Sequence, residues 1–254
     1  MRRLILLGAA ILLLGAGSAE AAEVRFVHAV PGAGAASLFV AGQDAGEAAF
    51  GDATGYTRAE SGEVELTLRA PGQEEELATA TASLGDGRST VVAMPEGEGV
   101  QLRVYEDADA AGGSASVRVI HAVPELEMAE VHLDERTLAD LDFGSATEYE
   151  DVEPGTYSVS LMRPGGEGGA LMEDPQLNLA AGTATTAVAL GSRGEPTRFV
   201  ALEDHAAAPA AGPDTGLGGM SEDGSPWPAA ILAALLAGAA GGLGWFLLVA
   251  RRRS

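Results

Sequence analysis

An internal duplication constrains the fold of this chain more than any other feature. Residues 24–31, with sequence VRFVHAVP, recur as residues 117–124, with sequence VRVIHAVP, at an offset of 93 positions. At that offset the chain also repeats turn residues and tyrosines: Phe50 and Phe143, Gly51 and Gly144, Tyr56 and Tyr149, Gly62 and Gly155, Pro71 and Pro164. Two copies of one unit indicate tandem domains rather than a solenoid of many short repeats.

Each copy has the pattern of short β-strands. Residues 63–69 alternate polar and apolar side chains, and residues 156–161 do the same in the second copy. Further candidate strands are 37–40, 77–82, 90–94 and 100–105. Gly, Pro and Asp separate these strands at intervals of about 8–12 residues, and no helical period stands out between them. The sequence predicts an all-β chain with two tandem antiparallel immunoglobulin-like β-sandwiches of about seven strands each.

The first residues are typical of a signal peptide. Arg2 and Arg3 precede an apolar run over 4–14, and Ala19-Glu20-Ala21 supplies a small-x-small cleavage pattern. We expect cleavage before Ala22. The alternative, an N-terminal anchor helix, is disfavoured because the run is too short to span about 30 Å of hydrocarbon.

A membrane anchor is predicted near the other end. Residues 229–250 carry no charge and, at about 1.5 Å per helical residue, reach across a bilayer. Arg251, Arg252 and Arg253 follow directly, and the positive-inside rule places such a tail in the cytoplasm. We therefore expect a single-pass protein of the cell membrane, with its N-terminal domains extracellular and its C-terminus cytoplasmic.

Two motifs near this anchor suggest more specific roles. Gly238 and Gly242 have the spacing that lets two membrane helices dimerise, although an Ala/Gly-rich segment produces this spacing by chance. Pro213-Asp214-Thr215-Gly216 is similar to the sortase sorting signal Leu-Pro-x-Thr-Gly, with Gly212 in place of the leading Leu. A helix-mediated homodimer and a sortase-anchored cell-wall protein are therefore alternatives, as is a plain linker.

Composition separates the folded part from its tether. The stretch before the anchor is rich in Ala, Gly, Pro and acidic residues without apolar periodicity, which indicates a flexible linker. The predicted segments are 1–21 for the signal peptide, 22–108 and 115–204 for the sandwiches, 205–228 for the linker, 229–250 for the helix and 251–254 for the basic tail.

The repeated motifs resemble a known bacterial family. The VRFVHAVP opening, the later Gly155-Thr156-Tyr157 strand and the Arg163-Pro164-Gly165 turn are similar to the domain of unknown function 4397. The resemblance implies exported, often tandem, immunoglobulin-like β modules. It gives no information about an activity, because the function of the family is unknown. After the first Pro, the Asp-Ala-Pro-x-Val-Asp run usual in the family is replaced here by residues 32–36, GAGAA, and the second copy keeps only residues 131–134, VHLD.

His28 and His121 are the repeated residues most capable of chemistry. Strand alternation places Phe26 and His28 on one face and Arg25 on the other. If Arg25 marks the solvent side, each histidine faces the core, where a hydrogen bond to a loop carbonyl would satisfy it. We favour this structural role over a catalytic or ligand-binding role and over a buried pH-sensitive switch.

Acidic residues offer one weak metal candidate. Calcium needs converging oxygen ligands, and Glu148, Glu150, Asp151 and Glu153 form a run that the first copy largely lacks. The chain has no EF-hand spacing, and a solvated acidic surface is the favoured alternative. We predict no cofactor.

The remaining patterns argue against most enzyme classes. We find no nucleophile elbow, phosphate loop or zinc-protease motif, and the chain has no cysteine. A formal net charge of −22 opposes nucleic-acid binding. We expect a non-catalytic structural or interaction module at the cell surface, with an unknown extracellular protein or cell-envelope partner. The alternative is an extracellular module that binds calcium or a small ligand, such as a saccharide, in the cleft between the copies.

Overall fold

The computed structural model describes residues 21–109, 112–166, 176–192 and 195–205, all within one compact unit. The predictions for the signal peptide, the linker beyond His205, the membrane helix and the basic tail lie outside these residues. Within the described ranges, no helix is both long and apolar enough to cross a membrane.

Each repeat contributes eight strands to the described part of the chain. The first repeat forms β1 (Ala21–His28), β2 (Ala36–Val40), β3 (Gln43–Ala48), β4 (Thr57–Glu60), β5 (Gly62–Arg69), β6 (Glu76–Leu84), β7 (Arg88–Glu96) and β8 (Gly99–Glu106). The second forms β9 (Ala115–Ala122), β10 (Met128–Leu133), β11 (Arg136–Asp142), β12 (Glu150–Val152), β13 (Gly155–Met162), β14 (Gln176–Leu179), β15 (Thr183–Ser192) and β16 (Glu195–His205).

The two repeats share one topology. The first has sheets of order β3-β2-β5-β6 and β4-β1-β7-β8, and the second has β11-β10-β13-β14 and β12-β9-β15-β16. The prediction of an all-β chain with two tandem units is thus confirmed. Eight strands replace the expected seven or so because β4 and β12 are short and polar and show no alternating pattern.

The prediction of wholly antiparallel sheets is wrong. β1 runs parallel to β7 over Glu23 to His28, and β9 runs parallel to β15 in the second repeat. A parallel pair needs a long crossover, which here consists of β2 to β6 in the first repeat and β10 to β14 in the second. Strand patterns alone carry no sign of direction, so the mixed sheets were not visible in the sequence.

Each repeat has its own apolar core between its two sheets, as in a β-sandwich. In the first repeat, Val24 and Phe26 of β1 pack in one cluster with Leu38 of β2 and Leu66 of β5. Val117 and Val119 of β9 occupy the equivalent cluster with Val131 and Leu161. Alternate residues of β1 and β9 therefore cover the sandwich cores.

A third apolar cluster joins the repeats. Val27 and Val92 of the first repeat pack with Ile120 and Val188 of the second, and all four are fully buried. The sheets that contain β1 and β9 are consequently covered on both faces. This explains the nearly continuous buried runs of β7, β9 and β15, since strands covered on both sides do not alternate between buried and exposed residues.

Candidate functional site

The face of β1 that carries Arg25 is buried between the repeats. Arg25 and its counterpart Arg118 are each only 4% exposed. The expectation that these arginines mark a solvent-facing side is therefore wrong. Buried charges of this kind require partners, and the partners come from the other repeat.

Arg25 binds a carboxylate near the end of the second repeat. Its Nη1 and Nη2 donate to Asp204 Oδ1 at 3.1 Å and Oδ2 at 2.8 Å, a two-pronged contact. Its Nε donates to Thr90 Oγ1 at 2.7 Å within the first repeat. Arg88 also approaches Asp204, at 3.5 Å. Each nitrogen of the Arg25 guanidinium thus donates to an oxygen.

Arg118 makes the reciprocal contact with the first repeat. Its Nη2 donates to Asp107 Oδ1, its Nη1 donates to the carbonyl oxygen of Glu106, and its Nε donates to Thr186 Oγ1 at 3.1 Å. The Asp107 side chain is fully buried and lies 3.4 Å from Arg25. The two arginines and two aspartates balance in formal charge, which limits the cost of burying them.

Tyrosines complete this cluster. The Tyr56 hydroxyl donates to Asp107 Oδ2 at 2.7 Å, and the Arg25 guanidinium lies 4.7 Å from the Tyr56 ring centre. Arg118 lies at the same 4.7 Å from the ring of Tyr149. Burial, followed by the bond to Asp107, raises the pKa of Tyr56, and burial raises the pKa of Tyr105 to about 12. Both hydroxyls therefore stay protonated at neutral pH and can donate.

The repeated Phe-Gly pairs also serve this interface. Arg198 Nη2 donates to the carbonyl oxygen of Phe50 at 3.2 Å, and Arg103 Nη1 donates to that of Gly144 at 3.0 Å. Gly51 has φ +81°, and a Cβ there would lie 1.9 Å from Arg198 Nη2. The positive φ favours glycine at this position, and a larger residue would also displace the Arg198 guanidinium from the Phe50 carbonyl.

The repeated histidines face the sandwich cores, as predicted. His28 Nε2 donates to the carbonyl oxygen of Gly34 at 2.9 Å, while the Val30 N–H donates to its Nδ1 at 3.1 Å. His121 Nε2 donates to the Leu126 carbonyl at 3.0 Å and its Nδ1 accepts from the Val123 N–H, so the same kind of contact recurs with the loop acceptor one position earlier. Both rings are buried. Each ring is hydrogen-bonded to a loop carbonyl, so the predicted hydrogen bond is confirmed.

This environment favours the neutral form of both histidines and makes stability depend on pH. Burial lowers the pKa of His28 and His121 below the ordinary 6.5. As the pH falls below about 6.5, the unfolded rings gain protons while the folded rings resist, so the free energy of unfolding decreases. Above that pH the histidine contribution is constant.

Urea unfolding at about pH 7.5 and 5.5 measures this effect. The His28→Asn, His121→Asn double variant is expected to lose less stability between the two pH values than the wild type does. The carboxylates titrate equally in both proteins and cancel in the comparison. Identical pH dependence in the two proteins would refute the assignment.

The calcium candidates lie on the surface of the second repeat. Glu150 accepts a hydrogen bond from Arg136 at 2.9 Å, and both side chains are exposed. Asp151 and Glu153 border an open groove of about 620 Å³ with Asp134 and Tyr157. In the described part of the chain, no group of three or more His, Asp or Glu side chains converges as a metal site. Calcium binding at Glu148 to Glu153 stays a prediction.

The sandwich ends differ between the repeats. An apolar cavity of about 250 Å³ opens in the first repeat, and its lining includes His28, Ala33, Leu68, Leu77 and Val100. In the second repeat the position equivalent to Ala33 is Leu126, which is 5% exposed and packs into the core.

The inter-repeat cluster was not predicted from the sequence, although its members are repeated. Arg25 and Arg118 each interrupt an apolar strand, and Asp107 and Asp204 each close a repeat. A charged residue at the same position of two apolar strands indicates that each charge is buried beside a partner of opposite charge. That signal is present in the sequence and could have identified the interface.

Comparison with known proteins agrees with the duplicated architecture. The family described as Domain of unknown function (DUF4397) matches the chain twice, over residues 22–117 and 115–213. No curated protein matches the chain. The two matched regions contain the two sandwiches and both halves of the arginine–aspartate cluster. The chain therefore belongs to the DUF4397 family, as a tandem pair of its domains.

Proposed function

We propose that this chain is a cell-surface structural or interaction module without catalytic activity, held to the membrane by one helix over 229–250. The observation that carries the proposal is the closed contact between the repeats. The carboxylates of Asp107 and Asp204 are both buried, and both bind arginines of the other repeat. These two carboxylates form ion pairs that join the two sandwiches. Such a contact is typical of a rigid structural unit.

The same contact argues against a ligand site between the copies. The junction does contain tyrosines and carboxylates, as a small-ligand site would. Here Tyr56 is bonded to Asp107, and Tyr105 is bonded to the Gly144 carbonyl at 2.7 Å. We therefore propose that partners bind the outer surfaces of the pair. The immunoglobulin-like class of each sandwich is part of this proposal and rests on its two packed four-stranded sheets.

Protease treatment of intact cells tests the proposed location. The two sandwiches should be accessible to external protease, the mature N-terminus should be Ala22, and a short C-terminal fragment should stay with the membrane. Protection of the sandwiches in intact cells, with digestion only after lysis, would contradict a surface role. A product that ends at Thr215 and is covalently joined to the wall would support the sortase alternative.

A further inference from the structure

We propose that the cavity at the end of the first sandwich holds one aliphatic side chain from a basic segment of a partner protein. This inference rests on the proposed interaction function and names the partner chemistry. The site lies between the two sheets, where the loop after β1, the start of β6 and the start of β8 meet.

The cavity wall is apolar and partly open. Leu68, Leu77 and Val100 contribute aliphatic surface, and Ala33 of the loop and Ala36 at the start of β2 contribute small side chains. Leu77 is 46% exposed, which is unusual for a large apolar residue among those that the structure describes. A dry cavity of about 150 Å³ is known to hold a benzene-sized group, and sites for larger ligands start near 300 Å³. A volume of about 250 Å³ therefore suits one side chain.

The second repeat shows what kind of group fits such a position. The Ala33 N–H donates to the Val30 carbonyl at 3.4 Å, and the Leu126 N–H donates to the Val123 carbonyl at 3.1 Å. The two turns therefore occupy matching positions of the repeats, but their backbones differ, because Gly32 has φ +71° and Glu125 does not have a positive φ. Leu126 packs its side chain into its own core, whereas Ala33 has only a methyl group and is exposed. The first repeat lacks the leucine-sized group with which the second repeat closes its sandwich.

The charged residues near the opening of the cavity, called the rim below, determine which charge a partner can carry. Exposed glutamates lie beside both lining strands: Glu74, Glu75, Glu76, Glu96 and Glu98. Arg69 pairs with Glu76 at 2.9 Å and neutralises it, and the other four glutamates keep this end of the sandwich negative. Such a rim repels an anionic lipid or a fatty acid and attracts lysine or arginine. An aliphatic residue flanked by basic residues satisfies both the cavity and the rim.

Methyl NMR of the full chain, titrated with short capped peptides, tests the site. The first peptide has a central leucine between arginines, the second replaces that leucine by alanine, and the third replaces the arginines by glutamine. We expect the first to shift the methyl signals of Leu77 and Val100. Loss of the leucine should weaken binding at least about tenfold, because burial of that side chain is lost. Loss of the arginines should also weaken it and remove its salt dependence.

Two variants connect binding to the cavity. Ala33→Leu supplies the group that Leu126 supplies in the second repeat, so it should abolish the peptide-induced shifts while the thermal melt stays cooperative. Leu77→Asn changes an exposed residue and should weaken binding without unfolding the sandwich. The charge variant Glu74→Gln, Glu75→Gln should weaken the arginine peptide and leave the glutamine peptide unchanged.

Equal binding of the leucine and alanine peptides would overturn the proposal, because attraction to the acidic surface alone would then explain it. Equal binding of the arginine and glutamine peptides would overturn the assignment of a basic partner. Absence of shifts at Leu77 and Val100 with any peptide would also refute the site. None of these results affects the protease test of surface location, so failure of this inference is distinguishable from failure of the proposed function.

Discussion

Replacing Asp204 by alanine is expected to lower the free energy of unfolding by about 3–5 kcal/mol, the usual cost of leaving one member of a buried ion pair without its partner. Asp204 accepts both prongs of Arg25, and its side chain is 1% exposed. Without it, Arg25 keeps Thr90 and a longer 3.4 Å approach to Asp107. Urea unfolding measures the loss.

Glu76→Ala provides the matched control. Glu76 pairs with Arg69 at 2.9 Å, close to the 2.8 Å of the Asp204 pair, but its side chain is 47% exposed. Solvent screens such a pair, so its removal should cost less than about 1 kcal/mol. A second check replaces Arg25 and Asp204 together by methionine and leucine, which should recover much of the loss because no unpaired charge remains. An equal effect of Asp204→Ala and Glu76→Ala would contradict the buried role.

Opposite effects are expected from two substitutions at aligned positions of the two repeats. Leu126→Ala should destabilise the protein by about 2–5 kcal/mol, because it removes a buried side chain and leaves a cavity. Ala33→Leu should be neutral or stabilising, because it fills a cavity that already exists. Neither position has a positive φ, so the backbone accepts both residues.

Thermal or urea unfolding of the two variants checks this pair of expectations. The comparison is internal, since both substitutions exchange the same two residue types in opposite directions at positions that the offset of 93 aligns. A loss below about 1 kcal/mol for Leu126→Ala would show that Leu126 does not close its sandwich. Destabilisation by Ala33→Leu through overpacking would show that the cavity is too small for a leucine side chain.

Most of the strands could be predicted because their pattern is local. The predicted strand at 63–69 lies within β5, and that at 156–161 lies within β13. Alternation along a single strand correctly placed His28 and His121 on the face opposite Arg25, although the assumption that Arg25 faces solvent, from which their inward direction was inferred, was wrong. Strand direction within the sheets could not be found in this way, because parallel pairing of β1 with β7 depends on how the chain crosses between them.

The inter-repeat cluster escaped prediction for a different reason. An arginine in a strand ordinarily marks the solvent side, and the partner of Arg25 lies 179 positions away in the sequence. The apolar cavity was not predicted, because it forms where the first repeat has only small side chains. The offset of 93 aligns Ala33 with Leu126, but only the packing of Leu126 into its core shows that a leucine-sized group is lacking in the first repeat.

The reciprocal pairing of Arg25 with Asp204 and Arg118 with Asp107 has a consequence for assembly. Each repeat offers the same patch to the other, the arrangement by which a symmetric homodimer joins two identical chains. A single-repeat chain with the same arginine and aspartate could form this contact with its own copy. Covalent fusion makes that dimer intramolecular, so dilution does not separate its halves. Because the contact uses one patch from each repeat, it closes at two copies and does not propagate into a filament.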